Sequence, residues 1–332
     1  MSDFKVSVVI PFYNAREFIT RAVESALDQP ETGEVLLIED GSPDDGLEIC
    51  QSLAQKYSKV RLLQHPRGQN LGPSASRNLG IINANYPYVA FLDADDYYLP
   101  GRFQKTAEVF AVSDKVDGVY EAIGATYQND AVKELFLSLN MCELTTVTKI
   151  IAPQDLFDEF MSGRSGYFSF DGFTGKKEIF VQSGLFREDI RFLEDTDLML
   201  KLSAKAKLFP GNISTPVAVR QVHNNNRITN RLSNERQIYR SYLTMWWGFY
   251  RWAEVNLSTK RQLVTAIHLL DRIRKSDYFS DFRWSDFLAS RKEMVRLAQV
   301  SPILFVMPIF WRILLIMQVI FCKMDQVIPR FC

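Results

Sequence analysis

Cysteine and histidine are scarce in this chain, with four and three copies in 332 residues. Cys50, Cys142, Cys322 and Cys332 form no CxxC pair and have no metal-ligand spacing. That excludes a zinc module and a disulfide framework, and reduced thiols in a cytosolic compartment are expected. No G-x-x-x-x-G-K-[ST] and no G-x-G-x-x-G occurs, so neither a P-loop nor a dinucleotide fingerprint is available. Net charge is absent as well, 39 basic residues balancing 39 acidic ones. Whole-chain charge therefore singles out no partner, and no nucleic-acid partner is expected. The apolar run in MSDFKVSVVIPFY is short, ends in proline and follows no basic stretch, so it reads as a strand and not as a secretory signal.

What is present is a globular composition, 47% apolar and 23% charged, able to fill a sizeable core. The charges are unevenly spread. From His223 onward there are 17 Lys/Arg against 8 Asp/Glu, and the residues before carry the opposite surplus. An acidic front and a basic back suggest two regions, the back facing something anionic.

The first hundred residues alternate between two periodicities. Lys5–Phe12, Glu34–Asp40, Val60–Gln64 and the run from Tyr88 into Asp96 read as strands. Ala15–Gln29, Leu47–Tyr57, Ser74–Asn85 and Arg102–Val112 read as helices, the first with Phe18, Ile19, Ala22, Val23, Ala26 and Leu27 on one face. Repeated strand–helix units predict a mostly parallel sheet flanked by helices, with ligands outside the carboxyl ends of the strands. The middle is less regular. It offers a possible strand at Thr145–Ile151, a helix opened by Pro153, and a Gly/Ser/aromatic stretch at Ser162–Gly175 that would be flexible and suited to lining a site. Phe192–Ala206 looks helical with Glu194 and Asp195 near its start, where carboxylates also serve as caps. Pro216–His223 reads as a short strand.

The strand ends carry the chemistry. LDADD (Leu92–Asp96) puts three carboxylates into four positions, which repel unless something compensates them. With Asp40, Asp195 and His223 they suit a hard divalent cation, Mg²⁺ or Mn²⁺, that keeps open positions for phosphate oxygens. The residues alone reach metal-assisted chemistry on a nucleotide or phosphate.

Beyond about Ser233 the pattern is helical. Pro302–Lys323 is strongly apolar, interrupted by Arg312 and Gln318 and broken by Pro308. A spanning helix needs about twenty apolar residues, and Arg312 near its centre would cost about 2.5–3.5 kcal/mol. A helix lying in the headgroup region could instead snorkel Arg312 outward. Peripheral contact with an anionic membrane through 302–322 is the expectation, and packing on the protein is the alternative.

The motifs SVVIPFYN (Ser7–Asn14), LLIEDGSPDD (Leu36–Asp45), NLGPSASRNLGI (Asn70–Ile81), YVAFLDADD (Tyr88–Asp96), FLEDTDLMLKL (Phe192–Leu202) and VRQVHNNNRIT (Val219–Thr229) follow in one order. In that order and spacing the sequence resembles the family 2 glycosyltransferases. The resemblance covers about Val6–Thr229. It implies an α/β GT-A fold, a mostly parallel nucleotide-binding sheet flanked by helices. A glycosyltransferase domain would occupy 1–230, with a nucleotide-binding half at 1–115 and an acceptor-binding half at 116–230. A helical C-terminal region, 231–332, follows it.

The family uses a nucleotide-diphospho-sugar, usually with Mn²⁺ or Mg²⁺, and inverts the anomeric centre. Carried over by motif, Pro11 and Tyr13 would pack on the nucleobase and Asp40 would accept from a base N–H. Arg77 would reach the base or diphosphate, and Asp93 the ribose or the metal's water. Asp95 and His223 would hold the metal, and Asp195 would be the general base. Glu194 and Gly172 would belong to the acceptor region. Read without the motifs, Asp40 is a turn cap, Arg77 a solvated helix residue, Asp96 a cap for the helix after Pro100 and His223 a structural histidine. The Q-x-x-R-W motif of processive synthases is absent, so the resemblance implies transfer of one sugar, with a UDP-sugar as the commonest donor. The acceptor would be a saccharide or lipid-linked saccharide on the cytoplasmic face of the membrane. Rival readings are a metal-dependent nucleotidyltransferase and a non-catalytic membrane-associated scaffold.

Overall fold

The computed structural model describes residues 4–139, 141–224, 226 and 235–274. The apolar segment 302–322 lies outside these residues. Among the described residues no helix is long and apolar enough to cross a membrane. The chain divides into two compact units, Met1–Ile238 and Tyr239–Cys332.

The first unit is built on β1 (Val6–Phe12), which is apolar on both faces and almost wholly buried. It pairs in parallel with β2 (Thr32–Glu39) on one side and β4 (Tyr88–Phe91) on the other. β3 (Val60–Gln64) extends the parallel set beyond β2. Past β4 the sheet continues antiparallel through β9 (Phe173–Lys176) to β6 (Gly118–Tyr120) and ends on β10 (Leu208–Pro210). The helices between follow from sequence spacing. α1 (Ile19–Leu27) buries Ile19, Ala22, Val23 and Ala26, an i, i+3, i+4, i+7 stripe. α2 (Gly46–Lys56) buries Cys50 and Leu53. α3 (Pro73–Asn83) begins on a proline, whose missing N–H costs nothing in a first turn. It packs so close to β1 that a Cβ on Gly80 would lie 2.3 Å from Val9 Cγ1.

A smaller sheet of four strands, which the sequence pattern does not foresee, runs β5–β11–β7–β8. Its members are β5 (Tyr97–Tyr98), β7 (Ile123–Tyr127), β8 (Leu144–Thr145) and β11 (Ala218–Val222). β8 is far shorter than the strand expected at Thr145–Ile151, which continues only as an isolated bridge between Val147 and Gly166. The Ser162–Gly175 stretch, expected to be flexible, instead fills a core. Phe168, Phe170 and Phe173 are buried there. Phe91 meets Phe170, Phe180 and Phe186 edge-on at 5.4–5.6 Å between ring centres, a geometry aromatic quadrupoles favour.

Just before α4 (Gln104–Val112), Arg102 enters the interior and is fully buried. Its Nη1 pairs with Glu121 Oε2 at 2.9 Å, its Nε donates to the Asp171 carbonyl at 3.1 Å and its Nη2 to Thr174 Oγ1 at 3.3 Å. α5 (Asp130–Ser138), α6 (Leu156–Ser162), α7 (Lys177–Gln182) and α8 (Glu194–Lys205) follow in this unit. In the second unit, α9 (Glu235–Asn256) and α10 (Thr259–Arg274) follow one another across a short turn, and Trp246 stacks on His268 at 5.2 Å.

Candidate active site

The acid run does not sit on a strand. β4 ends at Phe91, Leu92 N–H donates to the Val9 carbonyl at 3.1 Å, and Asp96 N–H closes a turn on the Asp93 carbonyl at 3.0 Å. Within the turn each of the three carboxylates has partners of its own, although Asp93 and Asp96 stay within 4.8 Å of each other.

Asp93 meets Arg77, whose Nη2 lies 2.7 Å from its Oδ1. The other terminal nitrogen of Arg77 reaches Glu194 Oε1 at 3.4 Å. Arg77 and Glu194 are buried, whereas Asp93 is half-exposed. One guanidinium thus bridges the acid turn and the start of α8. Burial opposes the charge on Arg77, but Asp93 and Glu194 more than offset it and raise its pKa. Beside Glu194, Asp195 is exposed in the first turn of α8, its Oδ1 accepting from Thr196 N–H at 2.7 Å. The residue that starts this helix, Leu193, has φ of 64°, a left-handed conformation that costs a leucine about 1–2 kcal/mol. Such strain is tolerated where the surrounding structure fixes the backbone.

Asp95 is half-exposed on the opposite side of the turn. Its Oδ2 lies 3.2 Å from His223 Nε2 and accepts from Asn226 Nδ2 at 2.7 Å. His223 follows β11, stacks on Phe18 at 4.8 Å, and its backbone N–H is held by Asn226 Oδ1. Asp96 does not cap a helix, since α4 starts only at Gln104. It is buried and its Oδ1 accepts from Gln221 N–H at 2.8 Å, fastening β11 to the turn.

Asp171, which sequence reasoning did not single out, completes the cluster. It is buried, and its Oδ1 accepts from Asp93 N–H at 3.0 Å. Asp93, Asp96 and Asp171 each offer an oxygen, all within 4.8 Å of one another. Burial, reinforced by the charges of Asp95, Asp171 and Asp93, pushes Asp96 well above the usual carboxylate range. Burial and the charge of Asp93 push Asp171 up to about 6, against the pull of Arg220. The folded protein therefore holds this proton more tightly than the unfolded chain does. The stability so gained is complete below the ordinary value of 3.8 and is lost as pH rises through about 6. In urea melts without divalent metal, the wild type should lose on the order of 2 kcal/mol relative to Asp171→Asn between pH 4.5 and 7.5. Parallel pH profiles for the two proteins would contradict the assignment.

At the end of β2, Asp40 is buried and accepts from Leu71 N–H at 2.8 Å and Gly72 N–H at 3.0 Å. Its Oδ1 also lies 3.5 Å from His65 Nε2. It thereby shapes the loop that enters α3. Pro11 lies in β1, and Tyr13 just beyond it is 51% exposed. Leu71, 43% exposed, follows on the loop that Asp40 holds. An exposed aromatic and an exposed leucine near strand ends leave apolar area for a flat ring. Gly172 is buried where β6 meets β9, and a Cβ there would lie 2.3 Å from the Glu121 carbonyl, so its lack of a side chain serves packing.

The structure thus joins Arg77, Asp93 and Glu194 in one network and Asp95 and His223 in another, with Asp195 beside the first. Two donor sets suit a divalent ion. Asp93, Asp96 and Asp171 offer oxygens alone, as Mg²⁺ prefers, and Asp95 with His223 offers oxygen and nitrogen, which Mn²⁺ accepts. Burial first, and the neighbouring carboxylates after it, raise the pKa of both Asp96 and Asp171, and a bound cation would oppose that shift. Asp171, Asn226 and Arg220 were missed for different reasons. Asp171 sits in an aromatic stretch and Asn226 in a run of asparagines. Arg220 did carry a signal, since a charged residue in a strand of a packed sheet calls for an anion.

Residues 7–171, about half of the chain, match the model of glycosyl transferase family 2. The fold is shared with a crystal structure of S. aureus TarS 1-349 in complex with UDP-GlcNAc. That match has a TM-score of 0.60 at 17% identity and covers 88% of this chain and 77% of that one. With a mostly parallel α/β sheet and an acid turn at its carboxyl edge, the chain belongs to the family 2 glycosyltransferases and has the GT-A fold. Among its relatives is the glycosyltransferase EpsJ of Bacillus subtilis (strain 168), 27% identical over 206 residues, 61% of this chain and 57% of that protein. Another is the succinoglycan biosynthesis protein ExoU of Rhizobium meliloti (strain 1021), 38% identical over 97 residues, 29% of this chain and 28% of that one. A third is the minor teichoic acid biosynthesis protein GgaA of Bacillus subtilis (strain 168), 27% identical over 210 residues, 61% of this chain and 44% of that one. The matched stretches thus span less than two thirds of these relatives' lengths.

Proposed function

We propose that this protein moves one sugar from a nucleotide-diphospho-sugar, a UDP-sugar first, to a hydroxyl of a saccharide or lipid-linked saccharide acceptor, with inversion at the anomeric carbon. The observation that carries the reading is the Arg77 bridge. By holding Asp93 at 2.7 Å and Glu194 at 3.4 Å, it fixes the acid turn and the Asp195-bearing helix end on one frame. A displacement reaction needs this arrangement, with leaving-group binding on one side and a base on the other.

In the proposed mechanism Tyr13 and Pro11 pack on the base, and Asp40 uses remaining acceptor capacity toward it. Asp93 meets the ribose. Arg77 is buried with both terminal nitrogens engaged, so it acts on the donor through Asp93 and not by direct contact. Asp95 and His223 would hold Mn²⁺ or Mg²⁺, and the ion would supply positive charge at the donor diphosphate. Asp195, exposed and at a helix start, takes the proton of the acceptor hydroxyl as its oxygen attacks. Glu194 orients that helix start, and the acceptor half, 116–230, receives the incoming sugar. The names of relatives in succinoglycan and teichoic acid biosynthesis support an acceptor in cell-surface polysaccharide synthesis. The basic surplus after His223 supports a site of action at the cytoplasmic face of an anionic membrane. The division of labour runs 1–115 for the donor, 116–230 for the acceptor and 231–332 for the membrane side.

A thermal-shift screen of nucleotide-sugars with Mn²⁺ tests the donor class, and at least one UDP-sugar is expected to raise the melting temperature. A flat screen across uridine, guanosine, cytidine and thymidine donors would contradict the reading. Asp95→Asn is expected to abolish the Mn²⁺-dependent part of UDP binding in calorimetry run with and without the metal. Unchanged Mn²⁺ dependence in that variant would move the ion to Asp93, Asp96 and Asp171.

A further inference from the structure

The arginine on β11 has no part in the mechanism so far. Arg220 lies opposite Ala125 of β7. Its neighbour Gln221 is docked on the acid turn, the backbone N–H on Asp96 Oδ1 at 2.8 Å and the side-chain amide on the Asp95 carbonyl. That docking carries Arg220 alongside the carboxylates. The residue is half-buried and its Nη2 donates to Ser169 Oγ at 3.3 Å. Among the described residues it makes no ion pair. Arg77, by contrast, spends both terminal nitrogens on carboxylates.

Burial works against the charge of Arg220, and the fields of Asp96, Asp171 and Asp93 overcome it, so the guanidinium stays charged. The guanidinium of this half-buried residue makes one side-chain hydrogen bond among the described residues, which leaves donors available to a ligand. The planar fork of a guanidinium matches two oxygens of a phosphate. The chemistry that brings a phosphate to this turn is the donor's diphosphate.

We infer that Arg220 contacts the diphosphate of the donor and stabilises it as it departs. This rests on the nucleotide-sugar reading above. As the bond between the anomeric carbon and the diphosphate oxygen breaks, its electron pair stays on that oxygen, and Arg220 N–H groups donate to the diphosphate without giving up a proton. The acceptor oxygen forms the new bond to the anomeric carbon, and its proton goes to Asp195. Arg220 is then the cationic side chain that meets the diphosphate beside the divalent ion, and Arg77 is a positioning residue behind Asp93.

The test is calorimetry on the full chain with Mn²⁺, titrating UDP and, by displacement, uridine into wild type, Arg220→Gln and Arg220→Lys, each first checked by thermal melt. Arg220→Gln is expected to bind UDP about 10- to 100-fold more weakly while uridine is unchanged. Arg220→Lys, which keeps the charge and loses the fork, should recover part of the loss. Its turnover with a donor should fall further than its UDP affinity, because the contact strengthens as charge develops. Equal weakening of UDP and uridine in both variants would make Arg220 a support of the base pocket and overturn the inference. Unchanged UDP affinity with unchanged turnover would make it a through-space neutraliser of the acids, with the same consequence. A wild type that fails to bind UDP would overturn the transferase reading itself, a result distinct from either variant outcome.

Discussion

Asp195→Asn is expected to slow sugar transfer about 100- to 10,000-fold while leaving nucleotide affinity unchanged. The substitution is close to isosteric and replaces a proton acceptor with an amide that cannot take the proton. Asp195 is exposed and, among the described residues, its side chain bonds within its own turn, to Thr196 N–H at 2.7 Å and Thr196 Oγ1 at 3.4 Å. An asparagine oxygen keeps the first of these bonds, so the helix start and the Arg77–Glu194 pair beside it should stand. The loss should appear in turnover and not in the UDP dissociation constant, since the interaction matters only as the acceptor hydroxyl gives up its proton. Steady-state rates of UDP release beside calorimetric UDP binding make the check. Comparable turnover in the variant would remove Asp195 from the role of base.

The largest effect on stability is expected at Arg102. Arg102 and Glu121 are both fully buried, 2.9 Å apart. Glu121 also accepts from Thr106 Oγ1 at 2.6 Å and from Asn212 N–H at 3.0 Å. Arg102 lies over the rings of Tyr98 and Phe103 at 5.2 and 4.8 Å. Arg102→Met keeps the aliphatic packing and strands a carboxylate in the core. Breaking a buried pair from one side costs about 3–5 kcal/mol, a large part of a whole-domain stability of about 5–15 kcal/mol. Urea denaturation measures it, and the double variant Arg102→Met/Glu121→Leu should regain part of the loss because no unpaired charge remains. A single-variant loss below about 1 kcal/mol would mean that the interior charge is compensated otherwise. The same guanidinium holds the Asp171 carbonyl at 3.1 Å. Milder changes here, such as Thr174→Val, should therefore reach the acid cluster without unfolding the protein.

Much of the donor-side architecture was legible because it is written in local periodicity. β1 carries the apolar run Val8–Phe12, β2 the run Val35–Ile38 and β3 the pair Leu62–Leu63, and α1 carries its stripe at helical spacing. The acid turn was legible as chemistry but not as conformation. The apolar run into LDADD extends the strand pattern past Phe91, and only the bond from Asp96 N–H to the Asp93 carbonyl reveals the bend. The second sheet was hidden because β5 has two residues, too few for any period, and pairs with β11, distant in sequence. Arg77 misled for a physical reason. On a helix an arginine reads as solvated, and its burial depends on Asp93 and Glu194, far apart in the chain, arriving at both ends of one guanidinium. Asp96 looked like a helix cap because a helix begins nearby, but its burial and its bond to Gln221 belong to tertiary structure.

The account stands most directly on one assay, in which the full chain is incubated with Mn²⁺, a panel of UDP-sugars and saccharide acceptors, and the released phosphorylated product is identified. The expected result is metal-dependent release of UDP with at least one donor, together with a glycosylated acceptor of inverted anomeric configuration. Release of pyrophosphate, or a product that retains the donor's configuration, would contradict it.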